Sequence, residues 1–203
     1  MDPLRTPGLT EFLDPVVPDG ASPYVPGAEP GTEVRVVPPD PDWPRQAEAV
    51  SARIREALGD AVVRLEHVGS TAVAGLPAKP VLDLDLAVPD SDDEAAYVPA
   101  LEGAGFRLVV REPWWYGHRM LRGTAPSVNL HVYGPDSAES ARQRLFRDGL
   151  RAHPEDRERY AAAKRSAADA AVAAGERVPQ YNARKQAVLR EVYGRLFAAA
   201  GLV

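Results

Sequence analysis

The chain has 203 residues, 26% of them charged and 45% hydrophobic, and a formal net charge of −5. That length supports one folded domain, or one domain with an appendage, around a core of its own. Cysteine is absent, which excludes disulfides and thiolate metal sites. No apolar run approaches the roughly 18 residues a membrane-spanning helix needs. The start of the chain shows neither the basic residues nor the apolar stretch of a secretory signal, so the expected location is cytoplasmic. Charge is uneven: residues 1–33 carry six acids and one base, residues 142–195 thirteen Lys/Arg and seven Asp/Glu. The acidic total argues against a general polyanion binder. The basic C-terminal stretch reads either as a solvated helical surface or as a source of arginines for an anionic ligand.

In chain order, residues 1–33 hold seven prolines and four glycines, with Leu9, Phe12, Leu13 and Tyr24 scattered among them. This has no period. It reads as an extension, either a loose tail or an arm laid across the domain through Phe12 and Leu13, with the domain proper at 34–203. Glu33–Val37 reads as a short strand. The closely spaced prolines of PPDPDWP forbid a helix there, and Asp42 can cap the next one. Trp43, Ala47, Val50, Ile54 and Leu58 are spaced by three and four, so Trp43–Leu58 is an amphipathic helix with Trp43 in the core. Ala61–Val68 and Pro80–Val88 read as strands, Asp92–Gly103 as a helix, and Phe106–Arg111, His118–Arg122 and Val128–Tyr133 as three further strands. Between the first two of these, Trp114, Trp115 and Tyr116 cannot all face one core, so at least one should be exposed as a lid, a stacking surface or a hairpin cap. From Pro135 onward the chain is helical: one helix after an Asp136/Glu139 capping box, a second from His153–Pro154 to about Ala174, and a third over Pro179–Ala200.

The stretch His67–Val88, HVGSTAVAGLPAKPVLDLDLAV, carries the chemistry. Side chains alternate along a strand, so Leu82, Leu84 and Leu86 share one face and Asp83 and Asp85 the other. Two carboxylates about 6.6 Å apart along a strand repel by roughly 2–3 kcal/mol at an effective dielectric of 20. A cation or strong donors should stand nearby, and Mg²⁺ suits carboxylate and phosphate oxygens. Gly69 lets backbone approach a ligand closely, and Ser70 adds a hydroxyl and an N–H suited to phosphate.

This order, a Gly-Ser turn and then an Asp-x-Asp strand, resembles the polymerase-β-like nucleotidyltransferase superfamily. The fuller string EHVGSTAVAGLPAKPVLDLDL, with VRVVPPDPDWP before it and FRDGLRAHPEDRERYAAAKR after it, is similar to the GrpB-like (UPF0157) family within that superfamily, over roughly residues 34–195. The resemblance implies an α/β fold: a small, mixed, twisted sheet of five or six strands with flanking helices and a C-terminal helical bundle. It also implies a Mg²⁺-dependent nucleotidyltransferase, with Asp83 and Asp85 holding metal and Gly69 and Ser70 gripping the phosphates of an NTP. The superfamily usually adds a third carboxylate on a neighbouring strand, where SVNLHVY offers Asn129 and His131. A single metal, a histidine ligand, or His131 as general base all remain open, since a neutral imidazole accepts a proton at cellular pH. Lys79 and Asn129 are further candidates for the substrate side, and Arg119 is preferred over Arg122 as a bidentate anion ligand. His67 is expected to orient the turn, and Tyr181 and Lys185, one helical turn apart, either close the cleft or pack on it.

Walker, dinucleotide, HExxH and GxSxG signatures are absent, as is a basic-aromatic RNA module. The expected partner is an NTP or another small anion, with no membrane and no nucleic acid. Two rival expectations are different chemistry on a small acidic or amino-acid-like metabolite in the same cleft, and a non-catalytic sensing or partner-binding module using residues 1–33 as its contact arm.

Overall fold

The structure is a computed structural model that describes residues 3–13 and 16–203. Five strands form one mixed sheet: β1 (Arg64–Val68), β2 (Leu82–Ala87), β3 (Phe106–Glu112), β4 (His118–Thr124) and β5 (Ser127–Tyr133), in the order β1-β2-β5-β4-β3. Neighbours are antiparallel except the central pair, β2 and β5, which run parallel. The leucines of β2 (82, 84 and 86) stand beside Val128, Leu130 and Val132 of β5, and all six are essentially sealed from solvent. Helix α1 (Trp43–Leu58) closes this apolar face with Trp43, Ala47, Val50 and Ile54, and the short α2 (Val98–Gly103) adds Leu101. Alternation along β2 and the three-and-four spacing of α1 are two periods of one buried surface.

The opposite, polar face is met by α3 (Ala138–Ala152), which packs on β1, and α4 (Pro154–Ala173) and α5 (Val178–Ala199) pack on α3. A second apolar cluster joins Val73 and Leu76, from the loop before β2, to Leu150, Tyr160, Val192 and Leu196. The α/β architecture with a C-terminal helical group is therefore as expected.

Three local expectations fail for definable reasons. Glu33–Val37 forms no strand; Val37 alone makes a bridge, to Ala78, because Pro38 and Pro39 follow it without N–H groups. The stretch Asp92–Gly103 is not one helix but a 3₁₀ turn over Glu94–Ala96 and then α2, interrupted where Tyr97 turns to φ −136° ahead of Pro99. Ser137, not Asp136, caps α3, its hydroxyl accepting from the Ser140 N–H, while Glu139 pairs with Arg142 instead.

The described part of residues 1–33 is an arm bound to the domain. Val25 N–H donates to Val109 O, and Arg111 N–H to Pro23 O, so the arm borders the outer edge of β3 and covers a row of unpaired backbone groups. Leu9 and Phe12 sit among Ala141, Tyr193 and Phe197; Leu13, expected to share that role, is 58% exposed. Arg142, 1% exposed, binds the arm. Its Nη1 donates to the carbonyls of Gly8, Leu9 and Glu11 at 3.0, 3.1 and 2.9 Å, and its guanidinium lies over the rings of Phe12 and Tyr116.

Arg142→Met keeps the bulk and removes the three hydrogen bonds to the arm, along with the ion pair to Glu139. At about 1 kcal/mol for each bond it should cost about 3 kcal/mol in urea unfolding and open residues before Pro23 to limited proteolysis before the domain itself is cut.

Candidate functional site

The parallel register of β2 and β5 sets Asp83 beside Asn129 and Asp85 beside His131, while β1 places Val68 and Glu66 on their other side. Both aspartates thus lie on the polar face, but their surroundings differ sharply. Asp83 is 31% exposed and has His131 Nε2 3.7 Å from its Oδ1. The same Oδ1 accepts from Asn129 Nδ2 at 3.0 Å. Burial pushes its carboxyl pKa up, but His131, Asn129 and Lys79 together outweigh that and hold it below the usual range.

Gly69 stands directly over this carboxylate. Its φ of +68° suits glycine, and a Cβ there would fall 2.5 Å from Asp83 Oδ2 and 2.9 Å from Asp83 Cβ. The close approach of turn and acid is possible only without a side chain. Ser70 opens the 3₁₀ turn Ser70–Ala72 immediately after it. His67 orients the same bend: its Nε2 lies 2.9 Å from Thr71 Oγ1, and burial takes its pKa down to about 4.

Asp85 is fully buried. Its Oδ2 accepts from Ser140 Oγ at 2.6 Å, and that hydroxyl oxygen in turn accepts from Arg64 Nη2 at 2.8 Å and Arg144 Nη1 at 3.0 Å. Asp85 Oδ1 has no partner. Burial raises its pKa, against the pull of Ser140 and the two arginines. Glu66, beside Asp85 on β1, is taken by Arg147 at 2.7 Å.

The expected pair of metal-binding acids is therefore not presented as a pair. Mg²⁺ needs near-octahedral oxygen coordination and keeps several waters. Asp83 is open to solvent, whereas Asp85 is sealed under α3 with arginine charge already set against it. Among the described residues no group of three His, Cys, Asp or Glu gathers as a metal cluster. The donor set does not fit a two-ion centre, because Asp85 acts as a structural anchor here.

Three lysines, by contrast, lie within electrostatic reach of Asp83. Lys79, Lys164 and Lys185 share the rings of Tyr160 and Tyr181: Lys79 Nζ lies 5.6 Å from the Tyr181 centroid, Lys185 Nζ 5.2 Å from the same ring, and Lys164 Nζ 5.5 Å from that of Tyr160. Lys185 Nζ also donates to Tyr160 Oη at 3.3 Å. Lys164 is 2% exposed, and burial, together with the charge of Lys185 and Lys79, takes its pKa down to about 6 against the pull of Asp83. The sequence carried the signal in a repeated spacing: Tyr160-Ala-Ala-Ala-Lys164 on α4 and Tyr181-Asn-Ala-Arg-Lys185 on α5 place each lysine one turn after a tyrosine. Of this group only Lys79, Tyr181 and Lys185 were singled out from sequence.

Arg119 does not belong to the site. It pairs across the sheet with Val132, hence on the apolar side, and is spent on Asp92 at 2.6 Å and Glu94 at 2.8 Å. Its neighbour Arg122 lies on the polar side, paired with Asn129, so the arginine preference from sequence was reversed by strand parity.

Two measurements follow. Gly69→Ala should lower stability by about 1–3 kcal/mol through positive-φ strain, and should displace the Asp83 carboxylate, read as a shift of the Asp83 side-chain NMR signals. Stability should also fall with acid well above the carboxylate range. His118 is held near 4 chiefly by burial, as His67 is, whereas an unfolded histidine titrates near 6.5. Below about pH 6.5 the unfolded chain alone takes up these protons, so stability declines until about pH 4, by roughly 3 kcal/mol for His118. Urea midpoints across that range check the slope, and His118→Phe should flatten it.

Comparison with known proteins agrees with this architecture. The family model described as GrpB protein matches residues 33–195. A UPF0157 protein of Halalkalibacterium halodurans is 42% identical over 77% of this chain and 78% of its own length. One from Streptomyces coelicolor is 40% identical over 73% and 78%. A dephospho-CoA kinase of Mycolicibacterium paratuberculosis is 32% identical over 80% of this chain, which spans 46% of that protein. The crystal structure of the conserved protein GrpB from Enterococcus faecalis superposes with a TM-score of 0.68 at 25% identity, covering 80% of this chain and 99% of that one. An α/β sheet of this order, a glycine turn seated on the first aspartate of LDLD, and a family match spanning most of the sequence together make this chain a member of the GrpB (UPF0157) family.

Proposed function

We propose that this chain is a transferase that binds the phosphates of a nucleoside triphosphate at the Lys79–Lys164–Lys185 cluster and passes the nucleotidyl group to a small acceptor hydroxyl. The observation that supports it is the lysine cluster itself: three amines gathered on the rings of Tyr160 and Tyr181, within electrostatic reach of the partly exposed carboxylate of Asp83. Such an arrangement repels a dication and attracts an anion. The Gly69–Ser70 turn adds backbone and hydroxyl donors beside it. In this reading the acceptor oxygen attacks the α-phosphorus, the bond to the β-phosphate oxygen breaks, and pyrophosphate leaves. The acceptor proton goes to His131 Nε2, which faces Asp83 Oδ1 at 3.7 Å.

A second reading draws on the sealed Asp85 and on Asn129 and His131 standing where the superfamily usually has an acid. It keeps the cationic cleft and the base but gives them a small acidic metabolite without NTP. The third, a partner-binding module with residues 1–33 as its contact arm, loses its motive because the described part of that arm is bound to its own domain.

Calorimetric titration with ATP, in EDTA and in Mg²⁺, tests the proposal. Lys79→Met and Lys185→Met should each weaken ATP about tenfold, equivalent to about 1.4 kcal/mol. Asp83→Asn, which removes a negative charge beside the phosphates, should strengthen ATP binding in EDTA. Absence of ATP heat, or lysine variants that bind as the parent does, overturns the nucleotide reading. A loss confined to Mg²⁺ in Asp83→Asn would instead assign the ion to Asp83.

A further inference from the structure

Glu112, His118 and His131 form a chain of hydrogen-bonding groups that runs across the sheet and ends at Asp83. Glu112 Oε2 lies 2.8 Å from His118 Nδ1, His118 Nε2 lies 3.0 Å from His131 Nδ1, and His131 Nε2 lies 3.7 Å from Asp83 Oδ1. Register builds it. Glu112 is the cross-strand partner of His118, and His131 is paired with Met120, two residues on from His118 along β4. All three side chains therefore share the polar face, with the histidines as diagonal neighbours. The His118 ring has no freedom to turn, because it stacks on Tyr133 at 4.9 Å and takes the edge of Trp115 at 5.4 Å. It is 5% exposed.

The donors and acceptors of this chain can be assigned. A carboxylate only accepts, so the proton of a neutral His118 lies on Nδ1 toward Glu112. His118 Nε2 is then bare and must accept, so His131 donates from its own Nδ1. That leaves His131 Nε2 as a bare lone pair on the side of Asp83. A carboxylate two rings away thereby sets which nitrogen of His131 is available.

We propose that Glu112 and His118 are positioning residues that hold His131 with Nε2 bare toward the cleft, and that the chain carries a proton from there to Glu112. When His131 Nε2 takes a proton from an acceptor hydroxyl, its Nδ1 proton passes to His118 Nε2, and the His118 Nδ1 proton passes to Glu112. Each histidine is neutral before and after; the acceptor has lost one proton and Glu112 has gained one. The charged groups around the path are Asp83, Lys79 and Arg122 at the cleft end, and Arg119 beside His118. The inference rests on His131 as the proton acceptor in the reading above, but its test needs no turnover.

Nitrogen-15 NMR of the imidazoles at about pH 7.5 reads the tautomers directly. In the unmodified protein both His118 and His131 should carry the proton on Nδ1, against the preference of free imidazole side chains for Nε2–H. Glu112→Ala removes the terminal acceptor, and both rings should revert to Nε2–H; Glu112→Gln, whose amide oxygen still accepts, should restore Nδ1–H in both. His118→Phe keeps the stack on Tyr133 and should return His131 alone to Nε2–H. An Nε2–H His131 in the unmodified protein, or a tautomer indifferent to Glu112→Ala and His118→Phe alike, overturns the inference. ATP calorimetry on the unmodified protein judges the nucleotide reading separately, since missing ATP heat with both tautomers as expected removes the nucleotide and leaves the chain of proton donors standing.

Discussion

The parallel pairing of β2 with β5 is the constraint on which the rest of this molecule depends. Its register, Asp83 with Asn129 and Asp85 with His131, fixes which polar groups meet, and the period of two ensures that the partners of those groups on the other face are all apolar. A slip of one residue would send the acids into the core beside α1 and the leucines toward the helices of the C-terminal group. The leucine face therefore does more than supply stability. It fixes the face on which Asp83, Asp85, Asn129 and His131 stand.

The second acid of LDLD shows how that lock is used. Asp85 joins Ser140 at the start of α3 with Arg64 on β1 and Arg144 one turn along α3. Buried ionic groups of this kind are weak contributors to net stability, because desolvation consumes most of the attraction. What they provide is position. The knot admits one placement of α3 on the sheet, and α4 and α5, which pack on α3, bring Lys164 and Lys185 within electrostatic reach of Asp83 as a consequence. The sequence presents Asp83 and Asp85 as equivalent neighbours; the fold seals one under α3 and leaves the other partly exposed.

Legibility in the sequence followed the range of the interactions concerned. Helix α1 and the central strands were readable because their apolar positions repeat locally, and Gly69 and Asp83 because a short motif contains both. Asn129 and His131 were legible through the resemblance, as the residues offered where a third carboxylate is usual. The errors were made where the outcome depends on a distant partner. Nothing near Asp85 announces Ser140, 55 residues on, and nothing near Arg119 says that Glu94 will claim it. The capping position at α3 was missed by one residue, which is within the reach of local competition between Asp136 and Ser137. The lysine cluster was half visible: the spacing Tyr-x-x-x-Lys occurs twice, but only packing of α4 against α5 turns two patterns into one site.

The same register places the histidine pair between two carboxylates, one on either side of the imidazoles. Asp83 faces His131 at 3.7 Å, and Glu112 meets His118 at 2.8 Å beyond it. In the proposed reading the outer carboxylate sets the tautomer, and the inner one borders the nitrogen that takes the proton. Removing either would leave an imidazole in the same place with a different nitrogen available or a weaker hold on the proton, so the position of His131 alone does not define the site. The two carboxylates that flank the histidine pair define it, and of the two acids in the motif only Asp83 is among them.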